Sequence, residues 1–330
     1  MTQTYQEEIS SNLYRASNQN KFFRFLKFYL IPGWRDPEFT ATEYQIGRTQ
    51  SKRKLFRRLL TPLTIAGIIM ILFIAVLAVY SPFFTPFTID ELVPPFFPDE
   101  IPFSQPSATH PLGTTRYGYD ILARLIWGSR TALTAAALPV IIGTAGGLVL
   151  GTISAYFGGA VDSIIMRFCD IWFAFPSLIL VIIISPLIGG NLYNILLLYG
   201  LFGIPGSARW VRALVLQVKQ NIYVRAAITG GAVKFKVMFK HILPNAISPV
   251  IISFFGGMGA AILGFAGIAF LGLVTDVQFS DWGTDINYGR YRFGAASAVF
   301  WPGLFIAIAA IGFMLIGDGL RDALDPRLHI

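Results

Sequence analysis

Charge is what this chain has least of. Only 13% of its 330 residues are Asp, Glu, Lys or Arg, and 54% are hydrophobic, whereas a soluble domain carries roughly 25% charged residues. So few charges cannot cover the water-facing surface of a chain this long. The composition excludes a soluble enzyme and points to an integral membrane protein. The single cysteine, Cys169, excludes an intramolecular disulfide and a thiolate metal site. His110, His241 and His329 lie too far apart to form a local ligand cluster. Signatures of catalysis are missing as well. No GxxxxGK[ST] phosphate loop, GxSxG or HExxH segment or paired-carboxylate arrangement occurs. The expectation is a non-catalytic protein that binds no metal or cofactor and does not itself cradle ATP. Ionisable residues are nearly absent from the apolar runs, where an ion-driven carrier needs them. The first apolar run starts near Leu59, too late and too long for a secretory leader.

What the chain does have is long apolar runs. A helix needs about 20 apolar residues to cross the hydrocarbon layer. Candidate spans are 59–80, 133–156, 171–188, 192–208, 247–273 and 295–316, with the third starting as early as Ile164 and the fourth interrupted by Pro205. Six spans put both termini on one side. Of the 26 Lys and Arg residues, eleven precede Leu59 and seven lie between Arg209 and Lys240. If these face the cytoplasm together with Arg167, Arg321 and Arg327, only Arg116, Arg124, Arg130, Arg290 and Arg292 remain outside. This bias predicts a multi-pass protein of the cell (inner) membrane with cytoplasmic termini. It also accounts for the net charge of +8 without a nucleic-acid partner.

The segments between spans have distinct patterns. The tail, 1–58, places Lys21, Arg24 and Lys27 on one arc of a helix among aromatic residues. That arrangement suits either anionic lipid or the protein's own inner face. Residues 81–115 hold eight prolines and no Lys or Arg and read as an irregular outer loop. The stretch 119–130 is expected as a short helix lying on the outer membrane face, the alternative being a plain extension of the second span. Residues 81–130 thus form the extracytoplasmic segment and 131–318 the core of five further spans. That core includes a large inner loop, 212–248, and 319–330 form a cytoplasmic tail.

Within that loop two short helices are expected, 214–229 and 232–241, separated by Gly230-Gly231 and stopped by Pro244. An ordinary positive-inside loop and a docking element both fit this composition. Gly147 and Gly151 form a close-packing face, either moving against a partner or packing within the chain. Gly256, Gly257, Gly259, Gly264 and Gly267 are candidates to line a translocation path. In the outer loop 275–293, Asp281, Trp282, Tyr288 and Arg290 are candidate docking residues for an external protein. Trp and Tyr also mark the headgroup level of any membrane protein.

Motif order resolves the function class. Arg225-Ala226-Ala227, Gly231 and His241-Ile242-Leu243-Pro244-Asn245 follow one another at fixed spacing. Before them come His110-Pro111-Leu112-Gly113-Thr114 with Gly118, Asp120, Arg124, Gly128 and Arg130, then Ala155-Tyr156-Phe157-Gly158-Gly159 with Asp162, Arg167 and Phe175-Pro176. Gly317-Asp318-Gly319-Leu320-Arg321-Asp322-Ala323-Leu324-Asp325-Pro326 closes the series. In these segments the chain resembles the permease subunits of binding-protein-dependent ABC importers of the dipeptide/oligopeptide/nickel class, and more closely the C-type member of the permease pair. The resemblance runs from about Leu59 to the C-terminus. Arg225 stands where the family has glutamate, Thr115 and Tyr119 replace residues usually acidic and basic, and the N-terminal tail is longer than usual.

The resemblance implies an all-α type I importer permease with six transmembrane helices. It also implies a second homologous permease, two cytoplasmic ATPase subunits and an extracytoplasmic solute-binding protein. The loop would form a coupling helix seated on an ATPase, with Arg225, Ala226, Ala227, Gly231, Ala232, Phe235, Met238 and Pro244 as the coupling residues. A self-contained channel or secondary carrier is the alternative, against which the loop pattern and the lack of intramembrane charge both tell.

Overall fold

A computed structural model describes residues 59–94, 101–274, 279–290 and 296–324. The basic-aromatic segment expected in the N-terminal tail lies outside the described residues. The chain divides into two units, 1–60 and 61–330, and the second holds all the features below. The described residues are helical and form no strand.

Helix α1 (Pro62–Val79) begins where Thr61 accepts a hydrogen bond from the Thr64 N–H at 3.2 Å and Pro62 opens the first turn. Helix α2 (Ile121–Phe157) is capped by Asp120, whose Oδ1 accepts from the Ala123 N–H at 2.6 Å. Helices α3 (Gly159–Phe173) and α4 (Ser177–Leu187) form a pair bent by 78°. Pro176 causes the bend, since it lacks an N–H and disfavours helical backbone at Phe175. Then follow α5 (Leu192–Lys219), α6 (Ile222–Thr229) and α7 (Lys234–Val237). From α7 the chain passes through a π-type turn, Met238–Ile242, into α8 (Leu243–Phe270). The last two are α9 (Trp282–Gly289) and α10 (Ala296–Leu324).

Packing centres on two helix pairs, α2 with α5 and α8 with α10, and α1 lies against α10. A Cβ at Gly147 would sit 2.3 Å from Ser207 Cβ, and one at Gly151 would sit 2.5 Å from Ala208 O. These glycines therefore serve intrachain packing of α2 on α5. The glycines of α8 divide: Gly259 faces the Ala310 carbonyl of α10, Gly264 faces Tyr199 of α5, and Gly257 lines a cavity.

Three sequence expectations are corrected here. The stretch 119–130 is not a separate interfacial helix but the first turns of α2. Its apolar stripe, Ile121, Leu125 and Ile126, is buried in the protein core and not turned to lipid. Pro205 does not end the fourth apolar segment, because α5 runs through it for 28 residues. Pro244 does not stop a helix either. The Leu243 N–H bonds back to Met238 O across the π-type turn, and this wider spacing absorbs the hydrogen bond that Pro244 cannot make. Asn245 Nδ2 donates to the His241 carbonyl at 2.7 Å, satisfying one of the freed acceptors.

Among the described residues four helical runs are long and apolar enough to cross a membrane, namely α1, α2, the run 234–270 and α10, and the bent α3–α4 pair would make a fifth. Helix α5 carries Arg209, Arg212 and Lys219 in its last eleven residues and does not qualify by composition.

Candidate functional site

The 212–248 loop folds onto the ends of α2 and α5. Lys219 closes that end of α5 by donating from Nζ to the carbonyls of Tyr156 at 2.9 Å and Ala155 at 3.3 Å, capping the C-terminus of α2. Helix α6 then ends in a Schellman turn. The Ala232 N–H donates to Ala227 O and the Gly231 N–H to Ile228 O, both at 3.1 Å. Gly231 holds φ at +79° with nothing within 4 Å of where a Cβ would be. Its requirement is one of backbone handedness and not of space.

Behind this turn lies a buried apolar cluster. Val224 of α6 and Val237, Met238 and Ile242 beyond the turn pack with Ala155, Tyr156, Val211 and Val215. Tyr156 Oη donates to Lys234 O at 2.8 Å, tying α2 to the start of α7. The turn is thus backed by α2 and α5 and continues directly into α8.

This geometry redistributes the expected coupling residues. Phe235 is 61% exposed, as an outward contact requires, whereas Met238 is 6% exposed and belongs to the inner cluster. Ala227 and Ala232 form the turn and pack on the cluster. Arg225 and Ala226 are exposed, and Pro244 shapes the π-type junction. Ile222, 86% exposed, Val233, 68%, and Phe239, 59%, are further exposed apolar side chains of the loop, and the sequence pattern alone did not single out Ile222. Phe235 and Phe239 are four apart, a helical spacing that marks one outward stripe.

Beside the loop, Arg212 grips Asp162 of α3 through two hydrogen bonds of 2.6 Å, and Ser154 also donates to that carboxylate. Arg209 pairs with Asp170 and lies 4.4 Å from the Phe173 ring centroid. Farther into the helices, α2, α4, α5 and α8 surround a cavity of about 500 Å³. Thr144, Ser177, Tyr199, Ser207, Trp210 and Ser253 give it polar groups, and its lining carries no charged side chain.

The opposite end is a closed clasp. His110 Nδ1 lies 3.0 Å from Asp120 Oδ2, joining the 101–119 segment to the cap of α2. Arg124 pairs with Asp285 of α9 and donates to Leu92 O. Ser280 Oγ donates to Arg124 O at 2.8 Å, and Trp282 Nε1 donates to Leu125 O at 3.1 Å. The Trp282 ring meets Phe305 edge-on at 5.5 Å. Burial pushes the Asp285 carboxyl up to about 6, opposed by Arg124 and aided by the nearby Asp281. Burial likewise raises the Tyr288 phenol to about 12. Asp281 and Trp282 are therefore not a docking surface. Asp281 is 5% exposed and caps α9 by accepting from the Thr284 N–H, and Trp282 is 3% exposed. Tyr288 is half-buried against Tyr117, and only Arg290 of the four expected docking residues is exposed.

Comparison with known proteins agrees with the motif order. Residues 147–330 match the family described as binding-protein-dependent transport system inner membrane component. The chain is 35% identical over 264 residues to the glutathione transport system permease protein GsiD of Pectobacterium atrosepticum, covering 80% of this chain and 86% of that protein. It is 34% identical over 295 residues to the dipeptide transport system permease protein DppC of Alkalihalophilus pseudofirmus, covering 89% and 95%. DppC of Bacillus subtilis is 35% identical over 271 residues, covering 81% and 82%. With its all-α bundle, several apolar spans and the Gly231 turn packed on α2 and α5, this chain belongs to that family: it is a multi-pass transmembrane permease subunit of an ABC importer.

Proposed function

We propose that the chain forms half of the translocation path of a peptide-class importer in the cell (inner) membrane, with a second homologous permease supplying the other half. Two cytoplasmic ATPase subunits hydrolyse ATP and dock on the 212–248 loop, and an extracytoplasmic binding protein delivers solute at the clasp end, near Tyr288 and Arg290. One observation carries this reading. The turn around Gly231 is rigidly backed by α2 and α5, exposes apolar side chains outward, and runs without a break into α8. A push on that turn moves a membrane-spanning helix, which a floppy loop would not do.

The six-span topology, with both termini cytoplasmic, fits if α5 crosses the membrane. Its cations cluster at the loop end, where Asp170, Asp162 and the carbonyls of Ala155 and Tyr156 receive them. The uncharged, hydroxyl-bearing cavity suits the amide groups of a short peptide and leaves selectivity to the binding protein. Relatives that carry dipeptide and glutathione in their names support the same substrate class.

The test is the complex reconstituted in lipid with its binding protein. Solute-stimulated ATP hydrolysis and uptake of a labelled dipeptide are expected together. Uptake by this chain without nucleotide would overturn the reading.

A further inference from the structure

The surface around the Gly231 turn has an unusual charge balance. Arg225, Lys234, Lys236 and Lys240 are all exposed, and none makes an ion pair among the described residues. No Asp or Glu occurs anywhere from Ile171 to Thr275. The preference for Lys and Arg on the cytoplasmic side does not account for this, because that preference is indifferent to acidic residues. Away from the turn three arginines are paired, Arg124 with Asp285, Arg209 with Asp170 and Arg212 with Asp162, and Lys219 and Arg130 are satisfied by backbone carbonyls.

The uncompensated cations are also ordered. Phe235 and Phe239 form one stripe of the outward face and Lys236 and Lys240 the stripe beside it, each pair four residues apart. Val233 and Ile222 add exposed apolar surface on either side of the turn. An apolar ridge with a basic flank fits either a protein groove or an anionic membrane surface. Length decides between them. The run Lys234–Phe270 is 37 residues, about 55 Å at the helical rise. A bilayer with its headgroups is about 40–45 Å thick. If Phe270 sits at one boundary of an upright run, Phe235 and Lys236 stand several ångströms beyond the other, which favours the protein groove.

We propose that the partner surface receiving this loop is a groove with an apolar floor and an acidic rim, with carboxylates opposite Arg225 and the lysines at 234, 236 and 240. The inference rests on the docking reading above and adds the chemistry of the partner. Such a pairing favours the cognate subunit and repels one built to receive an acidic loop.

The complex is purified in mild detergent from cells carrying the wild-type chain, K234E/K236E/K240E, its charge-keeping control K234R/K236R/K240R, or F235A/F239A. ATPase subunits retained per permease are counted by mass spectrometry at rising salt. The wild type and the arginine control are expected to lose subunits steeply between about 0.05 and 0.5 M salt, as exposed charge pairs are screened. The glutamate variant should retain about tenfold fewer at low salt. F235A/F239A should also lose subunits but keep the salt dependence. Full retention by the glutamate variant, with loss in F235A/F239A, overturns the acidic rim and leaves the docking reading intact. Full retention by both overturns the docking reading as well. Loss of binding to phosphatidylglycerol vesicles, with ATPase retention unchanged, assigns the lysines to lipid and also overturns the proposal.

Discussion

The two ends of this permease use similar residues to opposite ends. Both are rich in aromatic residues and arginine. At the clasp end Arg124 is 2% exposed and paired, and Trp282 is 3% exposed. At the loop end Phe235 and Phe239 stand out from the surface, and the neighbouring cations make no ion pair among the described residues. The contrast separates a region that completes its own interactions from one left open, which is the proposed docking face. Breaking the first is expected to damage folding, and breaking the second to damage coupling in a folded chain.

The largest effect is expected at Asp285. Removing one partner of a buried ion pair typically costs about 3–5 kcal/mol, so Asp285→Ala should strand Arg124 and sharply reduce the amount of folded chain in the membrane. Immunoblotting of the detergent-soluble fraction measures this. Gly147→Ala comes next. The added Cβ meets Ser207 at 2.3 Å, and overpacking of this kind costs about 1–3 kcal/mol. A lowered melting temperature of the purified chain is the expected result.

At the loop end, Gly231→Val should cost about 1–2 kcal/mol through its left-handed backbone. The complex should still assemble, but solute-stimulated ATP hydrolysis should fall. An unchanged ATPase rate would remove Gly231 from the coupling role. The smallest effect concerns pH. The Asp285 carboxyl is raised from 3.8 to about 6 in the folded chain, so the folded state holds this proton more tightly than the unfolded state does. Its contribution to stability is present below about pH 4 and lost as pH rises through about 6. Between pH 5 and 7 the melting temperature of the wild type should therefore fall slightly more than that of Asp285→Asn.

The same contrast explains what was legible in the sequence. The spacing Ala226-Ala227, Gly231, Leu243-Pro244 located the loop and Gly231, the left-handed member of its glycine pair. It did not give the phase of the helix beyond it. The π-type turn at Met238–Ile242 widens the helical repeat, and Met238 turns inward while Phe239 turns out. At the clasp end, Asp281 and Trp282 have the composition of an interface. Their burial depends on partners more than 150 positions away, such as the Leu125 carbonyl under Trp282. The apolar stripe of 119–130 was equally ambiguous, since a face buried in protein and a face lying on lipid share one periodicity. Pro205 and Pro244 looked like breaks because local rules do not register how neighbouring helices and a wider turn accommodate a proline.

The central claim is that this outward stripe is where the ATPase is held, and photo-crosslinking tests it most directly. A photoreactive amino acid is placed singly at Phe239, Phe235, Met238 or Trp282 in the intact complex, and crosslinked products are identified by mass spectrometry. The account predicts products with a phosphate-loop ATPase from positions 239 and 235, and none from 238 or 282. Crosslinking from 238, or none from 239 and 235, would contradict it.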